Sequence, residues 1–261
     1  MPIWSIMVRV MLLAAVVAPA WGAPRFSELF PRSTNAQGTE AAKQASSAAL
    51  VPEETEEEKL IDAVTIRQVK FANEWNPDPT APPQLCYQFR KALRMRCQWI
   101  SEPIELSDPE LFKCPLLYMS SHNSFNFTKA EREGLKRYLL QGGLLISDDC
   151  SGGGGGWLPS FAMELEKMFP GNPLVDISPD DKRFKGVFNI CYTFRGTPKI
   201  VSDFDNVALM LDNRMAVFVG KDDYGCMWEV SSPPTAAAPL GVSNHGFGPS
   251  EMATAFEFAF N

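Results

Sequence analysis

Two short, continuously apolar runs, Leu116–Met119 and Leu144–Ile146, separated by a polar segment of helix length, constrain this chain more than any other feature. Runs of that kind are expected of strands buried on both faces of a parallel sheet, and parallel neighbours need a crossover between them. The punctuation supplies one. Thr128 with Glu131 three residues on forms a capping box, so a helix runs to about Leu140 with Leu135, Tyr138 and Leu139 on its inner side. Gly142 stands where a left-handed residue closes a helix. The stretch is therefore a βαβ unit, and ligands on open parallel sheets bind beyond the carboxyl ends of the strands. Those ends carry His122 with Asn123, and Asp148, Asp149 and Cys150. These residues are candidates for a site, with a solvated sheet rim as the plainer alternative.

The same rhythm precedes the unit and fades after it. Val64–Phe71 reads as a strand, Asn76–Pro83 as an extended proline-rich loop, Gln84–Met95 as a helix with Leu85, Phe89 and Leu93 on one stripe, and Cys97–Ile100 as the next strand. Downstream, five glycines (residues 152–156) follow Ser151, and Phe161–Phe169 makes a short helix. The amides around Ser151 and Gly152 could form an anion-binding nest, or the segment could simply cover the sheet edge. It has neither the Lys-Ser/Thr of a phosphate loop nor a dinucleotide glycine pattern. Val207–Leu211 and Met215–Val219 flank Asp212-Asn213-Arg214 as a hairpin, which predicts an antiparallel addition outside the parallel core. Tyr224–Glu229 reads as a short strand or loop, and Ser250–Phe260 as a closing helix with Met252, Ala255, Phe256 and Ala259 inward.

Composition sets the boundaries. Residues 1–22 combine Arg9, an apolar core from Val10 to Ala18 and a small-residue exit, which is the layout of a secretory signal. Residues 23–59, rich in Ser, Thr, Ala and Gln and ending in a Glu run, read as a disordered linker, leaving 60–261 as one α/β domain. A net charge of −7 argues against a nucleic-acid partner, and beyond the leader no run is long enough for a membrane helix, so a periplasmic or secreted protein is expected.

The runs Asp108-Pro-Glu-Leu-Phe, Tyr138-Leu-Leu-Gln-Gly-Gly-Leu-Leu-Ile-Ser-Asp-Asp-Cys150, Phe169-Pro-Gly, Leu211-Asp-Asn-Arg-Met-Ala-Val and Gly225-Cys-Met-Trp-Glu resemble, in order, the bacterial domain-of-unknown-function family 4159. The resemblance spans about Val64 to Phe260. It implies the class I glutamine amidotransferase-like superfamily: a flavodoxin-like, three-layer α/β fold with a mostly parallel sheet. That superfamily includes a trehalose-utilisation branch, from which a carbohydrate-related role would follow by fold analogy alone.

The superfamily's nucleophilic Cys sits on an elbow patterned G-x-C-x-G, and the matching residues here are Asp148-Asp149-Cys150-Ser151-Gly152. Asp148 replaces the first glycine, and a carboxylate beside a thiol suppresses the thiolate that attacks. A base would have to be His122 or His245, the two histidines of the chain, and Phe247 stands where the superfamily's His-x-Glu acid belongs.

In an exported protein the six cysteines allow up to three disulfides or buried thiols, and the resemblance singles out Cys150 and Cys226 as the pair to meet near the strand ends. Asp148 and Asp149 could hold a hard cation with His122, although adjacent strand residues face opposite ways and carboxylate capping of the glycine loop explains them as well. No C-x2-C spacing suggests zinc. The expectation is a non-catalytic binding or assembly module without cofactor or metal, taking an unknown small molecule or an envelope protein at Asn123, Asp148, Asp149, Ser151 and Gly152. A Cys150 hydrolase using His245 or His122 is the alternative.

Overall fold

Side chains alternating along the central strands divide the core into two apolar layers, one on each face of a single sheet. Leu116 and Tyr118 face one layer while Leu117 and Met119 face the other, and Ile146 and Leu145 repeat the division one strand over. Both layers need helices over them, which is why these runs carry so few polar residues. A computed structural model describes residues 64–71, 74–93, 96–152, 154–177 and 206–260. The leader, the whole linker and Cys191 lie outside them.

The strands are β1 (Val64–Lys70), β2 (Cys97–Glu105), β3 (Leu116–Ser121), β4 (Leu144–Asp149), β5 (Val175–Asp176), β6 (Val207–Leu211) and β7 (Arg214–Gly220), in the sheet order β2-β1-β3-β4-β7-β6-β5. β2, β1, β3, β4 and β7 run parallel, whereas β6 and β5 add antiparallel pairs at the far edge. A separate antiparallel pair joins β8 (Val230–Ser232) to β9 (Val242–Ser243). Helices α1 (Ala81–Leu93) and α5 (Pro249–Phe260) cover one face, and α2 (Lys129–Leu140) and α3 (Trp157–Met168) the other. A short helix α4 (Tyr224–Trp228) follows β7 on the α1 side. This is a mixed α/β fold with a mostly parallel sheet.

The central unit forms as its sequence signals require. Thr128 Oγ1 accepts from the Glu131 amide at 3.3 Å and Glu131 returns the bond to the Thr128 amide at 2.7 Å, while Gly142 has φ 101°. The hairpin turn also forms: Asp212 and Asn213 carry φ of 49° and 61°, the left-handed pair of a two-residue turn. Its placement corrects the sequence reading. β7 pairs parallel with β4 from Leu145–Val217 to Asp148–Gly220, so the second arm of the hairpin is the fifth strand of the parallel core, and only β6 and β5 are antiparallel additions. A hairpin signature specifies how two strands meet each other, not what the second meets on its other side. Tyr224–Trp228, read as strand or loop, is helical because its amides find carboxylate and backbone acceptors at its first turn.

The segment carrying β8 and β9 is tied down through polar groups on α1. Gln84 and Gln88, both buried and one helical turn apart, donate to the carbonyls of Leu240 and Pro239 at 2.8 and 3.0 Å, and Thr80 Oγ1 accepts from the Val230 amide. On the opposite face, Glu164 is buried between Arg132 Nε at 2.7 Å and Lys167 Nζ at 2.6 Å. Burial pushes its carboxyl up, but the hydrogen bonds from Lys167 and Arg132 outweigh that and hold it below its ordinary value of 4.5. A depressed folded-state value contributes stability that is present above the unfolded value and lost as pH falls through the folded one. Thermal unfolding below pH 4.5 should therefore fall more steeply in the wild type than in Glu164→Gln; parallel curves would remove Glu164 from the acid response.

Candidate functional site

Three loops leaving the carboxyl ends of parallel strands converge: the one after β1 brings Asp78, the one after β4 brings Cys150, and the one after β7 brings Asp223 and Cys226. One ligand-type atom from each of these four lies within 4.8 Å of all the others. Cys150 Sγ donates to Asp78 Oδ2 at 3.3 Å and lies 3.7 Å from Cys226 Sγ, which in turn donates to Asp78 Oδ1 at 3.5 Å. The thiols and Asp78 are buried, with 5%, 5% and 1% of their surface exposed. Asp78 Oδ1 also stands 3.8 Å from His245 Nε2, which is 2.7 Å from Glu229 Oε2; Asn244 Nδ2 donates to the same oxygen. Asp78, Glu229 and His245 form a second group of converging ligand atoms that shares Asp78 with the first.

The backbone is built around this cluster. Asp223 precedes α4 in the left-handed region, φ 58° and ψ 54°, an uncommon conformation for a residue with a side chain. Its Oδ1 is buried without a hydrogen-bond partner among the described residues. Asp148 lies behind the cluster: its two oxygens accept the Tyr224 and Gly225 amides at 3.0 and 2.8 Å, fixing the first turn of α4. Gly225 leaves the room this requires, because a Cβ there would meet Asp78 Oδ2 at 2.5 Å, the Tyr118 hydroxyl at 2.6 Å and Asp148 Oδ2 at 2.9 Å. The Tyr118 hydroxyl faces the same point, is fully buried, and has no hydrogen-bond partner among the described residues.

Crowding of acids shapes the electrostatics. Burial, with the charges of Asp223 and Glu229 added and the Cys150 hydrogen bond opposing, raises Asp78 to about 6. Burial likewise raises Asp223, and it drives Asp148 well above its ordinary range with help from the Asp223 charge. The hydrogen bond with Cys226, then burial, then the Asp78 charge push the Cys150 thiol up. His245 moves in the cationic direction, raised to about 10 by its hydrogen bonds to Cys226 and then Glu229.

The remaining sequence candidates lie in other surroundings. His122 Nδ1 is 2.8 Å from Glu74 Oε2 in a half-exposed hydrogen bond, and Asn123 Nδ2 donates to the same carboxylate oxygen. Asp149 points away from Asp148, as strand alternation requires, and accepts the Ser151 amide at 3.1 Å and the Ser151 hydroxyl. Ser151 Oγ accepts the Gly155 amide at 2.7 Å, and the Gly152 amide donates to the Asp149 carbonyl at 2.9 Å. The amides of Ser151, Gly152, Gly154 and Gly155 thus bond within this loop. Cys150 and Cys226, singled out as a pair by the family resemblance, do meet, 76 residues apart in sequence, as free thiols; Cys86, Cys97 and Cys114 are buried too. Sequence reasoning missed Asp78, Asp223 and Glu229. Asp78 was hidden in a proline-rich loop, and its one signal was that the loop leaves a parallel strand.

Among the described residues no helix is long and apolar enough to cross a membrane. No curated protein matches the chain. A family model described as "Domain of unknown function (DUF4159)" matches residues 65–261, about three quarters of the length, and the chain belongs to that family.

Proposed function

We propose that the chain is an exported, non-catalytic binding or assembly module on an amidotransferase-like fold, with its site at the convergence of the β1, β4 and β7 loops. One observation carries the reading. Cys150, the residue at the nucleophile position, is buried against a carboxylate and a second thiol, and the contacts of His122 and His245 run to Glu74, Glu229, Asp78 and Cys226 instead. A thiol nucleophile needs a base in reach and an open approach. Asp148, at the place of the elbow glycine, is committed to the amides of α4. The parallel order β2-β1-β3-β4-β7 supports the fold assignment, since it follows the flavodoxin-like pattern 2-1-3-4-5. Export rests on the leader in residues 1–22, and N-terminal sequencing of exported material should begin at Ala23, whereas recovery of Met1 would refute it.

A second reading has one specific observation behind it. Cys226, His245 and Glu229 form a thiol–imidazole–carboxylate chain, so a hydrolase on this scaffold would use Cys226 in place of Cys150. Iodoacetamide labelling of the reduced, metal-free full chain at neutral pH, followed by peptide mapping, separates the two. Under the module reading both Cys150 and Cys226 label more slowly than in the urea-unfolded chain. Labelling of either one faster than in the unfolded chain, and lost in His245→Gln, would establish the enzyme.

A further inference from the structure

We propose that Asp78, Cys150, Asp223 and Cys226 form a closed, four-coordinate site for a borderline-soft divalent cation of the zinc type. The proposal rests on reading this pocket as a binding site and names the ligand class it takes. Zinc binds sulfur at about 2.3 Å and carboxylate oxygen at about 2.0–2.2 Å, which at tetrahedral angles places sulfur about 3.8 Å from sulfur and about 3.5 Å from oxygen. The separations here are 3.7 Å between Cys150 and Cys226 Sγ, 3.5 Å from Cys226 Sγ to Asp78, and 3.3 Å from Cys150 Sγ to Asp78. Two thiols and the Asp78 carboxylate thus already stand at separations a shared zinc would impose, and a ligand atom of Asp223 lies within 4.8 Å of all three.

The surroundings point the same way. Asp78, Cys150, Asp223 and Cys226 converge within 4.8 Å, and Glu229 and His245 adjoin them through Asp78, so sulfur and carboxylate donors delivered from three strand ends face one another. Asp223 Oδ1, unpartnered among the described residues, and the left-handed backbone that delivers it are a cost the fold carries at this loop. Thiolates select soft and borderline metals over calcium or magnesium, and the mixed sulfur–oxygen set suits zinc. His245, braced by Glu229 and hydrogen-bonded to Cys226, acts as an outer positioning residue that holds the Cys226 sulfur. Four protein ligands leave no position for substrate, which fits a binding or structural centre.

The test uses the full chain, reduced, stripped with a chelator and titrated with zinc(II) alone and cobalt(II) alone. The expected result is one zinc per chain retained through gel filtration, and a cobalt form with strong visible bands and a sulfur-to-metal charge-transfer band. Cys226→Ser should lose the charge-transfer intensity in part and bind at least about 100-fold more weakly; His245→Gln should keep the stoichiometry and bind about 10- to 100-fold more weakly. The wild-type cobalt spectrum decides the matter even if a variant fails to fold. A folded wild-type chain that retains no zinc and gives a pale cobalt spectrum without a sulfur band overturns the proposal. So does a Cys150–Cys226 disulfide recovered from the chain purified without reductant. If metal binding fails while both thiols label slowly, the metal assignment alone falls; if they label fast, the module reading falls with it.

Discussion

Gly225→Ala should destabilise the domain by about 3 kcal/mol or more, because the new methyl group enters a space already bounded by three buried oxygens. The contacts would be 2.5 Å to Asp78, 2.6 Å to Tyr118 and 2.9 Å to Asp148, and each partner is held by other bonds or by burial. Either α4 moves away from β4 or Asp78 leaves the cluster, and both outcomes disperse the ligand atoms. For a domain of this size the loss corresponds to a fall in Tm of about 6–12 °C. Gly152→Ala is the control. Gly152 has φ 60° but nothing within 4 Å of its would-be Cβ, so only the backbone strain of about 1 kcal/mol applies. Equal losses at the two positions, measured by thermal or urea unfolding, would show that the close approach at Gly225 does not matter.

Asp148→Asn is the second large effect, although it alters the side chain by one atom. Each Asp148 oxygen accepts one buried amide, and an asparagine can accept only one while presenting its own donors to the other. An unsatisfied buried donor costs about 1–3 kcal/mol, and the amide-to-amide clash adds to it, so a loss of about 2–4 kcal/mol is expected in urea unfolding. The variant should also loosen Asp223 and Cys226, which sit on the turn Asp148 fixes. Wild-type stability in Asp148→Asn would show that the α4 amides find other acceptors.

These two residues also mark how far the sequence could be read. Strands, crossover helix, capping box and hairpin were legible because each is a local pattern: apolar runs, Thr128 with Glu131, Asp212 with Asn213. The pairing partner of β7 was not, because parallel register is set by contacts between residues more than 70 positions apart and leaves no local signature. Asp148 was read as a departure from a glycine elbow; its actual partner is a helix that the sequence did not reveal. The site was half legible. Cys150 stood out at a strand exit and Cys226 and His245 followed from family likeness, but Asp78, Asp223 and Glu229 are single acids in loops, meaningful only once three strand ends are brought side by side. The missing C-x2-C spacing argued against zinc for the same reason: chain spacing measures a local loop, whereas this cluster draws on segments 70 to 150 residues apart.

Glycine and aspartate variants probe the frame; the convergence of the four ligand atoms is the claim on which the account stands. X-ray absorption at the zinc edge of the zinc-loaded full chain measures it most directly. The account predicts a first shell of two sulfurs at about 2.3 Å and two oxygens at about 2.0 Å, with one sulfur lost in Cys226→Ser. A first shell of oxygen and nitrogen alone, unchanged by that substitution, would contradict it.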